Sequence, residues 1–376
     1  MTLKPFIICI LLLTVMSCLK SRESDPQLEK SLTKPARKLA KFEPEDGKVL
    51  LFVGQELAAI GGLENYNDGY LDNFDRPAGF TMYTNFSPGD SSFGHINKGL
   101  DGVNTTDNWG DGPSNIAMQL SDPDFKNMAL AIGLAFVNHE TQVANGEHDD
   151  LIVGLAEFIK KQGERPVFLR VGYEFDGHQW NHYNREDYIK SFRHIHDVFD
   201  SLEVNNVAFV WQSTGWASSL DHLEAWYPGD DYVDWCAYSF FARYDEAKMI
   251  EFARQKGKPV FIAEATPTIG DETIKFDGQT IATNLSDAKQ AEVAWKKWFI
   301  PLFKTIHDNP DEIKAVSYIN SYWKSQPMWK DNPTFQKIDA RLQKSSLITK
   351  KWREETSKKT FILSSDTLYQ YLNKTH

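Results

Sequence analysis

The chain reads as an α/β protein, a single (β/α)8 TIM barrel, and three observations predict that class. Eight short apolar runs lie at residues 49–54, 80–85, 129–138, 166–172, 207–212, 232–241, 258–264 and 315–320. They are rich in β-branched and aromatic residues and bounded by Gly, Pro, Asn or Asp, as strands buried on both faces are. Helical spacing of apolar residues separates several of them, at 151–161, 185–202, 249–256 and 288–307. The rival architecture, a doubly wound sheet, lacks its usual glycine fingerprint, because the first run continues as VGQELAAI.

Taken in order, the chain begins with a positively charged Lys4 and an apolar stretch from Phe6 to Met16. That length suits a signal peptide and is too short to span a bilayer. The stretch ends in Val15-Met16-Ser17-Cys18, which resembles a bacterial lipobox, so residues 1–18 read as a lipoprotein signal with Cys18 as the lipidated residue. A plain cleaved signal peptide is the alternative. Residues 19–40 read as a polar tether, 41–350 as the catalytic barrel and 351–376 as a charged C-terminal extension. The expected location is the bacterial cell envelope, lipid-anchored at the outer membrane or periplasmic face, or the secreted fraction. Residues 86–128, rich in Gly, Asn, Asp and Ser, form a long insert after the second strand. Loops of that length are usually functional or mobile.

Composition narrows the partners. Hydrophobic residues make up 41% of the 376 and charged residues 25%, enough for a packed core. A net charge of −11 argues against a nucleic-acid partner, which needs a basic surface. The cysteines are Cys9, Cys18 and Cys236, so no intrachain disulfide and no zinc spacing are expected in the mature chain. No metal or cofactor is expected, and the chain reads as a monomer with the membrane as one partner.

In a barrel of this type, residues at the C-terminal ends of strands form the site. That rule collects Gln55 and Glu56, Asn85, His139 and Glu140, Tyr173, Glu174 and Asp176, Trp211 and Gln212, Tyr238 and Ser239, Glu264, and Asn320, Tyr322 and Trp323. Amides bind hydroxyls, flat aromatic faces stack on sugar rings, and paired carboxylates cleave glycosidic bonds. Asp230 and Asp234 read as loop caps. Trp180 and Trp226 are open to either packing or stacking.

Four stretches in barrel order resemble glycoside hydrolase family 26: Arg170-Val-Gly-Tyr-Glu174 with Trp180 beyond it, VWQS at 210–213, WYPGDDYVDWCAYSFF at 226–241, and KPVFIAEATP at 258–267. The resemblance covers roughly residues 125–330. It implies a retaining hydrolase with Glu174 as general acid/base and Glu264 as nucleophile, the carboxyl groups about 5–5.5 Å apart. It places Arg170 below the nucleophile, Trp211 and Trp323 as walls of the reacting subsite, and His139 after strand three. Asn85, Gln55, Asp176, Tyr173 and Trp180 complete the expected substrate-binding set. Tyr173 stands where the family has His, and Ser239 and Phe241 stand where it has Asp and Tyr, which leaves Tyr238 as the expected hydrogen-bond partner of the nucleophile. The function expected is endo-acting polysaccharide hydrolysis on neutral mannan or xylan. A sulfated galactan, carrageenan or fucan is the alternative substrate, and a non-catalytic glycan-binding lipoprotein is the alternative function.

Overall fold

Runs buried on both faces have one stable home, a parallel sheet covered by helices, and the chain closes that sheet on itself. The strands are β1 (Val49–Gly54), β2 (Gly79–Asn85), β3 (Ala129–Ala135), β4 (Val167–Val171), β5 (Val207–Ser213), β6 (Trp235–Phe240), β7 (Val260–Ala265) and β8 (Ile313–Ile319). Each pairs in parallel with the next, and β8 returns to β1 with Leu50 opposite Ala315 and Gly54 opposite Ile319. The computed structural model describes residues 38–241, 247–268 and 283–374. Cys18, the rest of the expected signal segment and most of the expected tether lie outside the described residues.

Strand alternation sorts the side chains into two cores. Leu51 and Val53, Ile132 and Leu134, Leu169 and Val171, and Phe209 and Trp211 face the helix layer. Leu50, Phe52, Phe168, Val210, Trp235 and Phe261 fill the lower barrel. Above them the interior turns polar. The hydroxyls of Thr81 and Ser317 meet at 2.9 Å, and Arg170 and Gln212 bond at 2.7 Å. The change from apolar to polar filling along the barrel axis locates the site at the C-terminal ends of the strands.

Two boundaries differ from expectation. The third run ends as a strand at Ala135, since Asn138 takes a left-handed φ of 65° and turns the chain toward the helix Glu140–Ala144. The helix expected over 288–307 is interrupted by a wider turn at Trp295–Phe299. Pro301 lies just beyond it and has no N–H to give the carbonyl four residues earlier.

Residues 351–374 are part of the barrel rather than an extension from it. The helix Ser346–Thr356 runs across the expected boundary, and its Trp352 indole donates to the Tyr70 hydroxyl at 2.9 Å. Phe361–Ile362 pairs with the start of β1. Leu368 and Leu372 of the last helix, Leu368–Asn373, join Phe42, Phe52 and Phe168 to close the floor of the barrel. Charged residues on the outer faces of these elements hid the apolar contacts beneath.

The insert at 86–128 is likewise tied down. The Leu57 N–H donates to the Pro113 carbonyl at 2.9 Å, and the Met328 N–H donates to the Gly110 carbonyl at 2.8 Å. His139 lies 3.4 Å from Asp90. The insert therefore bridges the loops after β1, β3 and β8 and covers that side of the mouth.

Candidate active site

Glu174 sits in a corner that the backbone overdetermines. Gly172 leaves β4 with φ 54°, and a side chain there would meet the Tyr188 ring at 2.5 Å. Tyr188 Oη donates to the Val171 carbonyl at 3.1 Å, and Asn181 Nδ2 to the Tyr173 carbonyl at 2.8 Å. The Phe175 N–H reaches the Gln212 carbonyl at 3.2 Å. Glu174 itself has φ 53°, an uncommon conformation for a residue with a side chain, and one found at functional corners held by their surroundings. The turn lifts the carboxyl over the barrel mouth.

Glu264 reaches the same space by an irregularity. Phe261 and Ala263 face the barrel interior, so strict alternation would send Glu264 outward. Between β6 and β7 the register slips, pairing Tyr238 with Ile262 but Ser239 with Glu264. A matching slip occurs against β8. The bulge returns Glu264 to the interior and leaves Ala265 facing the helix layer.

A polar network joins the two carboxyls. Ser239 Oγ donates to Glu174 Oε1 at 2.6 Å, Gln212 Nε2 donates to Ser239 Oγ at 3.0 Å, and the same amide lies 3.4 Å from Glu264 Oε1. Arg170 Nη2 pairs with Glu264 Oε1, while its Nε donates to Gln212 Oε1. Tyr83 Oη stands 2.9 Å from Glu264 Oε1 and 3.2 Å from Gln55 Oε1. The Arg170 guanidinium also packs over the Tyr83 and Tyr173 rings. A fully buried cation thus has one charged partner and several neutral ones, which is how buried charges are tolerated.

The two carboxyls occupy opposite electrostatic settings. Burial, reinforced by the Glu264 charge, pushes Glu174 up to about 8, against the opposing hydrogen bonds from Ser239 and Trp180. Glu264 has the guanidinium against it. One group is therefore held as an acid at neutral pH and the other is paired with a cation. This is the division of labour that glycosidic cleavage needs.

The remaining expected residues divide. Trp180 Nε1 donates to Glu174 Oε2 at 2.7 Å and, 39% exposed, meets Trp216 edge to face. Tyr173 and Gln55 line the network through Tyr83. Asp176 is a support: it accepts from Ser213 Oγ and the Thr214 N–H, both at 2.7 Å, fastening the β4 corner to β5. His139 bonds His148 at 2.9 Å and faces Asp90, away from the carboxyl network. Asn85 closes β2, where its side chain accepts from the Ser87 N–H at 3.3 Å and its Nδ2 is buried without a partner among the described residues.

Three assignments are corrected. Trp211 precedes the inward Gln212 and so faces outward, stacked on Phe175 at 4.5 Å. Tyr238 precedes the inward Ser239 and also faces the helix layer. The tyrosine against Glu264 is Tyr83, inward on β2 in step with Thr81. Trp323 is 2% exposed, packed against Phe335 and Trp329, and offers no face to a sugar. Trp226 is packing too, beside Phe175 and Tyr188, and Asp234 accepts from the Phe209 N–H. Sequence reasoning missed Tyr83 and Trp216. The period of two along β2 marks Tyr83; nothing local marks Trp216.

A (β/α)8 barrel with two buried carboxyls in one polar network at the ends of β4 and β7 is an architecture that glycoside hydrolases use. The profile of glycosyl hydrolase family 26 matches residues 135–314. The chain is 35% identical to a β-1,3-xylanase of a Vibrio species, over 88% of this chain and 69% of that one. It is 32% identical to a β-1,3-xylanase of an Alcaligenes species, over 88% and 68%. A solved family 26 β-mannanase from Bacteroides ovatus shares the fold, with a TM-score of 0.55 at 14% identity, over 86% of this chain and 93% of that one. The chain belongs to glycoside hydrolase family 26.

Proposed function

We propose that this enzyme is an endo-acting β-1,3-xylanase, exported and anchored to the cell envelope through Cys18. Glu174 protonates the leaving glycosidic oxygen while Glu264 attacks the anomeric carbon, forming a glycosyl–Glu264 ester and releasing the aglycone. Glu174 then takes a proton from water, which attacks the same carbon and frees Glu264, so configuration is retained. The observation that carries the reading is a buried Glu174 carboxyl, raised by burial and by the Glu264 charge, beside a Glu264 paired with Arg170. Trp180 and Trp216, exposed beside Glu174, offer stacking surface for the departing sugar.

Two named relatives act on β-1,3-xylan, and they support that polymer over mannan. The site supports a neutral substrate over a sulfated one: Arg170, the cation in the described network, is already bound to Glu264. The test is a product screen. Protein lacking residues 1–18 is incubated with β-1,3-xylan, β-1,4-xylan, β-mannan and sulfated galactans and fucans. Oligosaccharides from β-1,3-xylan alone are expected, with Glu174→Gln and Glu264→Gln each reduced by at least about a thousandfold. Products from a sulfated polymer instead would overturn the substrate.

A further inference from the structure

Glu174 is linked to the cation that holds Glu264, and the link has a direction. Arg170 has no acceptor, so the 2.7 Å bond from its Nε fixes Gln212 Oε1 as the accepting atom and turns the amide nitrogen the other way. That nitrogen donates to Ser239 Oγ at 3.0 Å. Ser239 accepts this hydrogen, and its own points on to Glu174 Oε1 at 2.6 Å. All four side chains are buried, which keeps the order of donors and acceptors from being rearranged by bulk water. Arg170 also pairs directly with Glu264. One guanidinium therefore serves both carboxyls: Glu264 by contact, and Glu174 through two neutral side chains.

The second Glu174 oxygen has the same kind of partner. Trp180 Nε1, which cannot accept, donates to Oε2 at 2.7 Å. Among the described residues, both groups bonded to the Glu174 oxygens are thus donors, and a proton on Glu174 finds no acceptor there. Resting on the acid/base assignment above, we propose that Ser239 is a positioning residue, kept donating by Gln212 and Arg170, which leaves the Glu174 proton to the glycosidic oxygen and stabilises the carboxylate that remains. Without Gln212 the hydroxyl would be free to turn and accept the Glu174 proton itself, withholding it from the substrate. In the second half-reaction the same donation holds the carboxylate as it takes a proton from water.

The test compares wild type, Ser239→Ala and Ser239→Thr on two aryl β-1,3-xylobiosides. One carries a methylphenol leaving group, which needs a proton, and the other a dinitrophenol, which does not. Ser239→Ala is expected to lose about tenfold in kcat/KM on the first and less than about twofold on the second. Loss of a donor to the ionised form raises the pKa of Glu174, so the basic limb on the first substrate should move up by about 0.5–1 pH unit. The charges that act on Glu174, those of Glu264 and Asp176, are kept in every variant of this comparison. Ser239→Thr keeps the hydroxyl and should restore both readouts. Gln212→Met should move the limb up too, and no further once Ser239 is Ala. Equal losses on the two substrates, a limb that stays or moves down, or shifts from Gln212 and Ser239 that add, overturn the proposal. Ser239→Cys, a weaker donor, carries the same comparison if the alanine variant does not fold. Unchanged activity of Glu174→Gln on the methylphenyl substrate would instead refute Glu174 as the acid. Wild type inactive on both xylobiosides would refute the xylan reading, and the comparison then moves to aryl glycosides of the sugar that it does cleave.

Discussion

At the scale of single residues, the site works by setting two chemically similar groups apart. Glu174 is buried, and the charges of Glu264 and, more weakly, Asp176 make a further negative charge unwelcome. The indole of Trp180 and the hydroxyl of Ser239 pull the other way, since each donates to the ionised form. In the proposed mechanism the first step needs the acid form of Glu174, so kcat/KM should fall as pH rises through about 8. Trp180→Phe removes a donor that lowers this pKa, so the pKa rises. The basic limb of the kcat/KM profile should therefore move up by about 0.5–1 pH unit. A profile measured on an aryl xyloside checks this, and a limb that moves down would contradict the assignment of the acid.

At the scale of elements, placement depends on small departures from regularity. Gly133 on β3 makes room for the Tyr83 ring: a side chain there would meet Tyr83 Cδ1 at 2.5 Å and Tyr173 Cδ1 at 3.2 Å. Gly133→Ala should therefore cost about 1–3 kcal/mol of stability and displace the hydroxyl that contacts Glu264. Denaturant midpoints and kcat/KM together check it; both unchanged would mean that Tyr83 does not need that space. The same scale explains what the sequence made legible. Strand ends at Glu174 and Glu264 were readable because apolar runs stop at them. The orientation of Trp211 and Tyr238 was also available in principle, since each adjoins an inward polar residue, Gln212 or Ser239. The bulge before Glu264 was not, because it arises from pairing with β6 and β8 rather than from any local signal.

At the scale of the whole molecule, the barrel separates stability from chemistry along its axis. The floor is closed by Phe42 and the last helix, and the lower interior is apolar. The roof on one side is the insert, and Trp180 and Trp216 are exposed beside Glu174 among the described residues. In the proposed mechanism the leaving part of the polymer would lie over those indoles. The most direct measurement is mass spectrometry of the enzyme after reaction with an activated 2-deoxy-2-fluoro β-1,3-xylobioside, which slows release of the glycosyl ester. The expected result is one added xylobiosyl group on Glu264, formed in the wild type and absent from Glu264→Gln. An adduct on another residue, or turnover of β-1,3-xylan with inversion at the anomeric carbon, would contradict the account.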